Sequence, residues 1–230
     1  MSQSSLFIDI GNSAVKWRTP DSEVFTQKVD IFSSKLLPEA ELAWVSAVAH
    51  PNILQAIKAQ FTNVKLVEPL KQYVRLTLSY DDPSKLGADR FLAMLGALER
   101  FPDIPLLVID AGSAVTFDVL DSKGLHQGGL IMPGIKALRQ SFPKFSTGDL
   151  SLTSSALKNN TEGAWRSGTH AMLVSAINSQ IRNFELEYPG GVVTICGGTA
   201  KEVLKELPES VKPFDNLVLD GLESYSQSMG

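Results

Sequence analysis

The sequence predicts an α/β fold made of two copies of one unit, and three observations carry that reading. Short apolar strand-like runs alternate with longer stretches of helical period. The order of elements over residues 5–68 recurs over residues 105–219. Each copy also opens on a strand that runs into Asp-x-Gly and then an amide or a hydroxyl. These stretches are FIDIGNSAVKW at 7–17 and VIDAGSAVTFD at 108–118, the second repeating the first with one residue deleted.

In the first copy, residues 5–10, 13–18 and 23–29 read as three short strands, followed by a weak helix near 33–40 and the strand LAWVSAV at 42–48. The helix PNILQAIKAQF opens on Pro51 and lines Ile53, Leu54, Ile57 and Phe61 along one face. The strand VKLVE closes the copy. Leu86, Gly87 and Ala88 then lead into an amphipathic helix with Phe91, Met94, Leu95 and Leu98 as its apolar stripe. Two prolines in RFPDIP forbid its continuation, which puts a domain junction near 101–105 and divides the chain into 1–103 and 104–230. The second copy reads as strands at 105–110, 113–120 and 125–131, with the turn signal DSKG before the third. Helices near 133–142 and 160–187, the strand VVTIC, the helix TAKEVLKEL and the strand NLVL at 216–219 follow.

Composition narrows the function classes. The chain has 230 residues, 43% of them hydrophobic, and a net charge of -4, which describes a soluble globular protein. No apolar run reaches the roughly 20 residues a bilayer span needs. The N-terminus has neither a basic region nor a long apolar stretch to act as a secretory signal. Cys196 is the single cysteine, so no intramolecular disulfide forms. The expectation is a cytoplasmic protein with small-molecule ligands, no nucleic acid and no membrane.

The two Asp-x-Gly stretches have chemistry to offer. Glycine lets the backbone turn tightly and approach a ligand, the following amides can donate to an anion, and Asn12, Ser13 and Ser113 add donors. Asp9 and Asp110 could hold Mg²⁺ or its waters, since that ion takes one or two carboxylates alongside phosphate oxygens. Either stretch alone is equally an ordinary β-turn, in which Asp and Gly are common. Recurrence at matching places in two similar halves favours a pair of phosphate loops.

Asp89 falls in the first turn of its helix, where the macrodipole favours an anion and keeps the carboxylate able to accept a proton. The local pattern alone fits an N-cap as well. Arg90 suits a carboxylate ligand and equally a solvated helix surface. Tyr80 suits a pocket wall or plain packing, and Asn160 with Thr161 suits a helix N-cap. Gly197 and Gly198 form a strand-Gly-Gly-helix turn of the kind that lets a nucleotide approach backbone. His50, His126 and His170 lie in no spacing that points to a metal or to catalysis.

The paired loops resemble those of the superfamily containing actin, the heat-shock ATPases and the sugar and acetate kinases. Over essentially its whole length the sequence is similar to the type III pantothenate kinases, also described as Bvg accessory factors. That family's first loop, Asp-x-Gly-Asn-Thr, matches Asp9, Gly11, Asn12 and Ser13. Its second, Asp-x-Gly-Thr-Ala-x-Thr-x-Asp, matches Asp110, Gly112, Ser113, Ala114, Thr116 and Asp118, with Ser for Thr in both loops. GADR at 87–90, GGLIMPG at 128–134 and NTEGAWRSG at 160–168 stand intact, whereas the family's Thr-Gly-Gly appears as Cys196, Gly197 and Gly198.

The resemblance implies two duplicated ribonuclease H-like domains with a nucleotide cleft between them. It also implies an enzyme that phosphorylates pantothenate with ATP and Mg²⁺, the first step of coenzyme A biosynthesis. Asp89 would be the general base, and Tyr80, Gly87, Ala88, Arg90 and Thr161 would bind pantothenate, Thr161 from the neighbouring subunit of a homodimer. ATP would lie against both loops, Lys16, Gly197 and Gly198, with Asp9 holding Mg²⁺ through water. Asp118 would take a monovalent cation, potassium or ammonium. Two other readings go with the resemblance: an accessory factor of transcriptional regulation that keeps the fold, and a kinase of the superfamily acting on another small hydroxylated acceptor.

Overall fold

The structure is a computed structural model that describes residues 4–20, 22–145 and 154–229. These fall into two compact units, residues 1–102 with 216–230 and residues 103–215. The first unit is built on strands β1 (Ser5–Ile10), β2 (Ala14–Arg18), β3 (Phe25–Lys28), β4 (Leu42–Ala47) and β5 (Val64–Leu66). They form one sheet in the order β3-β2-β1-β4-β5. β1 runs antiparallel to β2 and parallel to β4. Leu6, Ile8 and Ile10 alternate into a core shared with Val15, Trp17, Val45, the Ile53 and Ile57 face of α1 (Pro51–Gln60), and Phe61 directly after that helix.

Only a 3-10 turn at Ser34–Leu36 occupies the stretch expected as a helix over 33–40. Leu37 takes the extended ψ of 137° that a following proline imposes, and Pro38 prevents the helix from continuing. A two-stranded hairpin of β6 (Gln72–Tyr73) and β7 (Leu76–Thr77) follows, and then α2 (Ala88–Arg100), whose stripe of Phe91, Met94, Leu95 and Leu98 is buried as the periodicity requires.

The second unit repeats the arrangement. Strands β8 (Leu106–Ala111), β9 (Ala114–Leu120), β10 (His126–Pro133), β11 (Val192–Cys196) and β12 (Lys212–Pro213) form a sheet in the order β10-β9-β8-β11-β12. β8 is antiparallel to β9 and parallel to β11. This is the first sheet's order with each strand replaced by its counterpart, which is the structural form of the sequence repeat. Helices α3 (Ile135–Gln140), α4 (Thr161–Glu187) and α5 (Ala200–Val203) complete the unit. Leu173, Ile177, Ile181 and Phe184 of α4 pack on Leu107, Ile109, Phe117 and Val193.

The segment expected as a strand at 216–219 instead opens α6 (Leu217–Met229), and the fifth strand of the second sheet is Lys212–Pro213. A short apolar run such as Leu217-Val218-Leu219 does not distinguish strand from helix by itself. Burial continues at helical spacing through Leu222 and Tyr225. α6 belongs to the first unit, so the compact units do not follow a single cut near residue 103. It packs on α2 where glycines let two backbones approach: a Cβ at Gly96 would lie 2.5 Å from the Leu217 carbonyl oxygen, and one at Gly221 would overlap the Leu92 carbonyl. Arg18 pairs with Asp220 at 3.0 Å and with Glu223 at 2.7 Å, and Tyr225 stacks on Tyr73 with centroids 4.7 Å apart. No helix among the described residues is long and apolar enough to cross a membrane.

Candidate functional site

Asp9 is the penultimate residue of β1. It faces Lys16 across the antiparallel pair and lies beside Ser46 of β4. Asp110 holds the same station in β8, facing Thr116 and lying beside Cys196 of β11. Each aspartate therefore shares a sheet face with the next candidate along its hairpin, Lys16 or Thr116. The turns close similarly, with Gly11 N–H donating to Ala14 O at 3.0 Å and Gly112 N–H donating to Ala114 O at 2.9 Å. Ile10 faces Val15 and Ala111 faces Val115, so the deleted residue is absorbed within the turn and the strand register is kept. Asn12, Ser13 and Ser113 are exposed, while both aspartates are half-buried.

Glycine is demanded at two points around the second loop. Gly197 has φ 99°, and a side chain there would run into the Asp110 carboxylate and lie 2.6 Å from the Ala111 carbonyl oxygen. Gly134 donates from its N–H to Ser113 O at 3.1 Å, and a Cβ there would sit 2.6 Å from that same oxygen. Gly198 is exposed and faces open space.

The acceptor candidates gather at the start of α2. Asp82 first caps a 3-10 turn at Pro83–Lys85, accepting from the Ser84 hydroxyl at 2.7 Å and its N–H at 3.0 Å, and these bonds lower its pKa. Gly87 is the helix N-cap, in extended backbone and with no side chain to cap the helix. Asp89 is thus the second helical residue. It is half-buried, its Oδ1 accepting from the Arg90 N–H at 2.8 Å. A Cβ on Gly87 would lie 2.5 Å from that Oδ1 and 3.7 Å from Val48 Cγ1, so the glycine clears room for the carboxylate beside the end of β4. The same strand end is tied to the first loop: Val48 N–H donates to Ile10 O at 3.3 Å and His50 Nε2 to Asn12 O at 3.0 Å. Asp89 and the Asp9 loop therefore lie at one edge of the first sheet, beyond the carboxyl ends of its parallel strands, where ligands bind in open α/β sheets.

Arg90 is not the solvated surface residue its position on the helix equally allowed. It is 6% exposed and donates from Nη1 to the Tyr80 hydroxyl at 3.2 Å. Lys71 holds the other end of Tyr80, donating from Nζ to its carbonyl oxygen at 2.9 Å. In the second unit, Thr161 is the exposed first residue of α4. Asn160 is the N-cap, its Oδ1 accepting from Gly163 N–H at 2.8 Å.

Asp118 is 2% exposed and accepts from the buried His126 Nε2 at 2.9 Å. That bond engages Oδ1, one of the two oxygens of the carboxylate. The histidines, expected to be inert, all have partners: His126 bonds Asp118, His170 bonds Glu206 from within α4, and His50 bonds the first loop. His50 and Thr199, whose hydroxyl donates to Ala111 O at 2.7 Å, are loop contacts that residue spacing did not reveal. The one local sign was a position directly before Pro51, where backbone choice is restricted.

Two units of one strand order, each with a strand-end aspartate and a glycine turn, define a protein of the actin-like ATPase and sugar-kinase fold. A Campylobacter jejuni structure described as a Baf family transcriptional activator superposes with a TM-score of 0.67, 22% identity and coverage of 97% of this chain and 98% of that one. The ADPNP-bound activator of the 2-hydroxyisocaproyl-CoA dehydratase from Clostridium difficile superposes with a TM-score of 0.51 and 13% identity, covering 98% and 97%.

Residues 5–183 match the sequence profile of the type III pantothenate kinases, and the chain belongs to that family. The type III pantothenate kinase of Xanthomonas axonopodis pv. citri is 30% identical over 97% of each chain. That of Dichelobacter nodosus is 35% identical over 78% of this chain and 80% of its own. The protein is accordingly a phosphotransferase that uses ATP with a divalent metal to phosphorylate pantothenate in coenzyme A biosynthesis.

Proposed function

We propose that Asp89 is the general base and Arg90 the carboxylate ligand in this reaction, yielding 4'-phosphopantothenate. The observation that carries the assignment is the shared sheet edge of Asp89 and the Asp9 loop, joined through Val48 and Gly87. Arg90, held by Tyr80, pairs with the pantothenate carboxylate, and Gly87, Ala88 and Tyr80 line its path. Asp89 accepts the proton of the primary hydroxyl as that oxygen attacks the γ-phosphorus in line. The new O–P bond forms, the bond to the bridging oxygen breaks, and ADP leaves with that electron pair.

The loops at Gly11–Ser13 and Gly112–Ala114 supply backbone and side-chain donors to phosphate oxygens, with Lys16 and Thr116 beside them. Gly197 and Gly198 lie against adenosine. Mg²⁺, when bound, neutralises phosphate charge. A single half-buried carboxylate at a strand end, such as Asp9, suits it because phosphate and water fill its other positions.

A monovalent cation, potassium or ammonium, belongs to the same reading. Asp118 is its ligand in this reading, one oxygen of the carboxylate also accepting from His126. The enzyme is a cytoplasmic homodimer in which Thr161 reaches the neighbouring subunit's pantothenate. The test of the reading is a coupled assay of ADP release with Mg²⁺ and potassium. ADP release that depends on pantothenate supports it; release indifferent to pantothenate from folded protein contradicts it.

A further inference from the structure

We infer that His50 and Thr199 are positioning residues, each tying its unit's phosphate turn to the helix that follows the neighbouring parallel strand. The inference rests on the reading that these loops bind ATP phosphates. β4 is the parallel neighbour of β1 and leads to α1; β11 is the parallel neighbour of β8 and leads to α5. His50 is the N-cap of α1 and Thr199 the N-cap of α5. Neither side chain caps its own helix. Both reach across to a backbone carbonyl at the turn instead: His50 Nε2 to Asn12 O within it at 3.0 Å, and Thr199 Oγ1 at 2.7 Å to Ala111 O, the last carbonyl of β8 before it.

Thr ordinarily stabilises a helix from this position by accepting a first-turn N–H, so its use as a donor into the loop departs from the local default. The Thr199 N–H donates to the same Ala111 oxygen at 2.9 Å, which gives that carbonyl two donors. His50 sits in left-handed backbone, φ 55° and ψ 62°, directly before Pro51. That conformation is sparsely populated for residues with a side chain, and it persists where surrounding contacts determine it. Since a carbonyl oxygen only accepts, the His50 proton in this bond is on Nε2.

The consequence follows from peptide planarity. In a trans peptide the C=O and the next N–H point opposite ways, so pinning Asn12 O fixes the direction of the Ser13 N–H. Pinning Ala111 O likewise fixes the plane from which Gly112 N–H closes its turn onto Ala114 O. The anchored carbonyls differ: a ring holds Asn12 O within the first turn, and a hydroxyl holds Ala111 O just before the second, where the first copy's Ile10 O takes the Val48 N–H. Neither residue is proposed to touch substrate.

The experiment measures the Kd of a non-hydrolysable ATP analogue with Mg²⁺ for wild type, His50→Gly, His50→Gln, Thr199→Val and Thr199→Ser, together with each variant's KM for pantothenate and Tm. Glycine takes φ 55° freely and valine preserves the shape of threonine, so both deletion variants keep the fold. Losing one orienting hydrogen bond weakens analogue binding by about five- to tenfold in each deletion variant. Gln and Ser, which keep a donor, stay within about twofold of wild type, and KM for pantothenate does not move. Unchanged analogue affinity in both deletion variants, or donor-keeping variants as weak as the deletions, overturns the inference. Wild type that binds the analogue while the variants match it leaves the kinase reading standing; wild type that does not bind it removes both.

Discussion

Arg90 donates to the hydroxyl of Tyr80 at 3.2 Å while Lys71 holds the carbonyl of the same tyrosine at 2.9 Å. A buried arginine thereby meets the hydroxyl of a tyrosine whose backbone is itself held by Lys71. Arg90→Gln keeps hydrogen-bonding capacity but removes the charge and the planar fork. A hydrogen bond to a charged group is worth about 1.5–3 kcal/mol, so KM for pantothenate should rise roughly 10- to 100-fold while KM for ATP stays near wild type. Steady-state kinetics with each substrate varied in turn checks this, and equal rises in both KM values would remove Arg90 from the acceptor pocket.

Asp9 is the penultimate residue of β1, just before the first glycine turn. Asp9→Asn keeps its shape and removes the charge that would orient the magnesium waters. Turnover should need a higher Mg²⁺ concentration for half-maximal rate, with the circular dichroism spectrum unchanged. A magnesium titration that superposes on wild type takes Asp9 out of the site.

Asp118 is the proposed cation ligand and also the partner of His126. In Asp118→Asn the buried His126 faces an amide in place of a carboxylate, and a weakened buried hydrogen bond costs on the order of 1–3 kcal/mol of stability. The melting temperature should fall, and half-maximal kcat should need more potassium than in wild type. A lower melting temperature with an unchanged potassium midpoint would take Asp118 out of the cation site.

Thr161 stands exposed at the first position of α4, just inside the Asn160 cap. If it serves a neighbouring subunit, Thr161→Ala and Asp89→Asn should each impair the enzyme and partly restore one another when mixed and allowed to exchange subunits. A hybrid dimer then has one site with both residues intact. Sedimentation should report a dimer at assay concentration. An active monomer, or no restoration on mixing, argues for a role within one chain.

Much of the fold was legible because period-2 alternation and Asp-Gly turns are local signals. The strands around Asp9 and Asp110, the stripe on α2 and the Asn160 cap can all be read from neighbours within a few residues. What was hidden depends on distant contacts. Leu217–Leu219 became helix because α2 lies alongside with glycines at Gly96 and Gly221, a partnership across more than a hundred residues. The β6–β7 hairpin turns through Val74 at φ 51°, where the residue type gives no turn signal. Pro38 marked the limit of the expected helix over 33–40, but the strength of its veto showed only in Leu37. The site divided the same way: Asp9, Asp89 and the glycines announce themselves by motif, whereas the burial of Arg90 and the reach of His50 exist only once the chain is folded.

The account turns on Asp89, and kcat of Asp89→Asn tests it most directly. Asn preserves the side-chain shape and its amide oxygen can still accept from the Arg90 N–H, while the lost charge in the first helical turn is worth only about 0.3–1 kcal/mol, so melting temperature and nucleotide affinity should stay near wild type. What it loses is the proton acceptor, which in general-base catalysis contributes roughly 10²- to 10⁴-fold in rate. The predicted result is a fall in kcat for pantothenate of at least about a hundredfold in a folded, ATP-binding protein. A variant that retains more than about a tenth of wild-type kcat would contradict the assignment of Asp89 as the base.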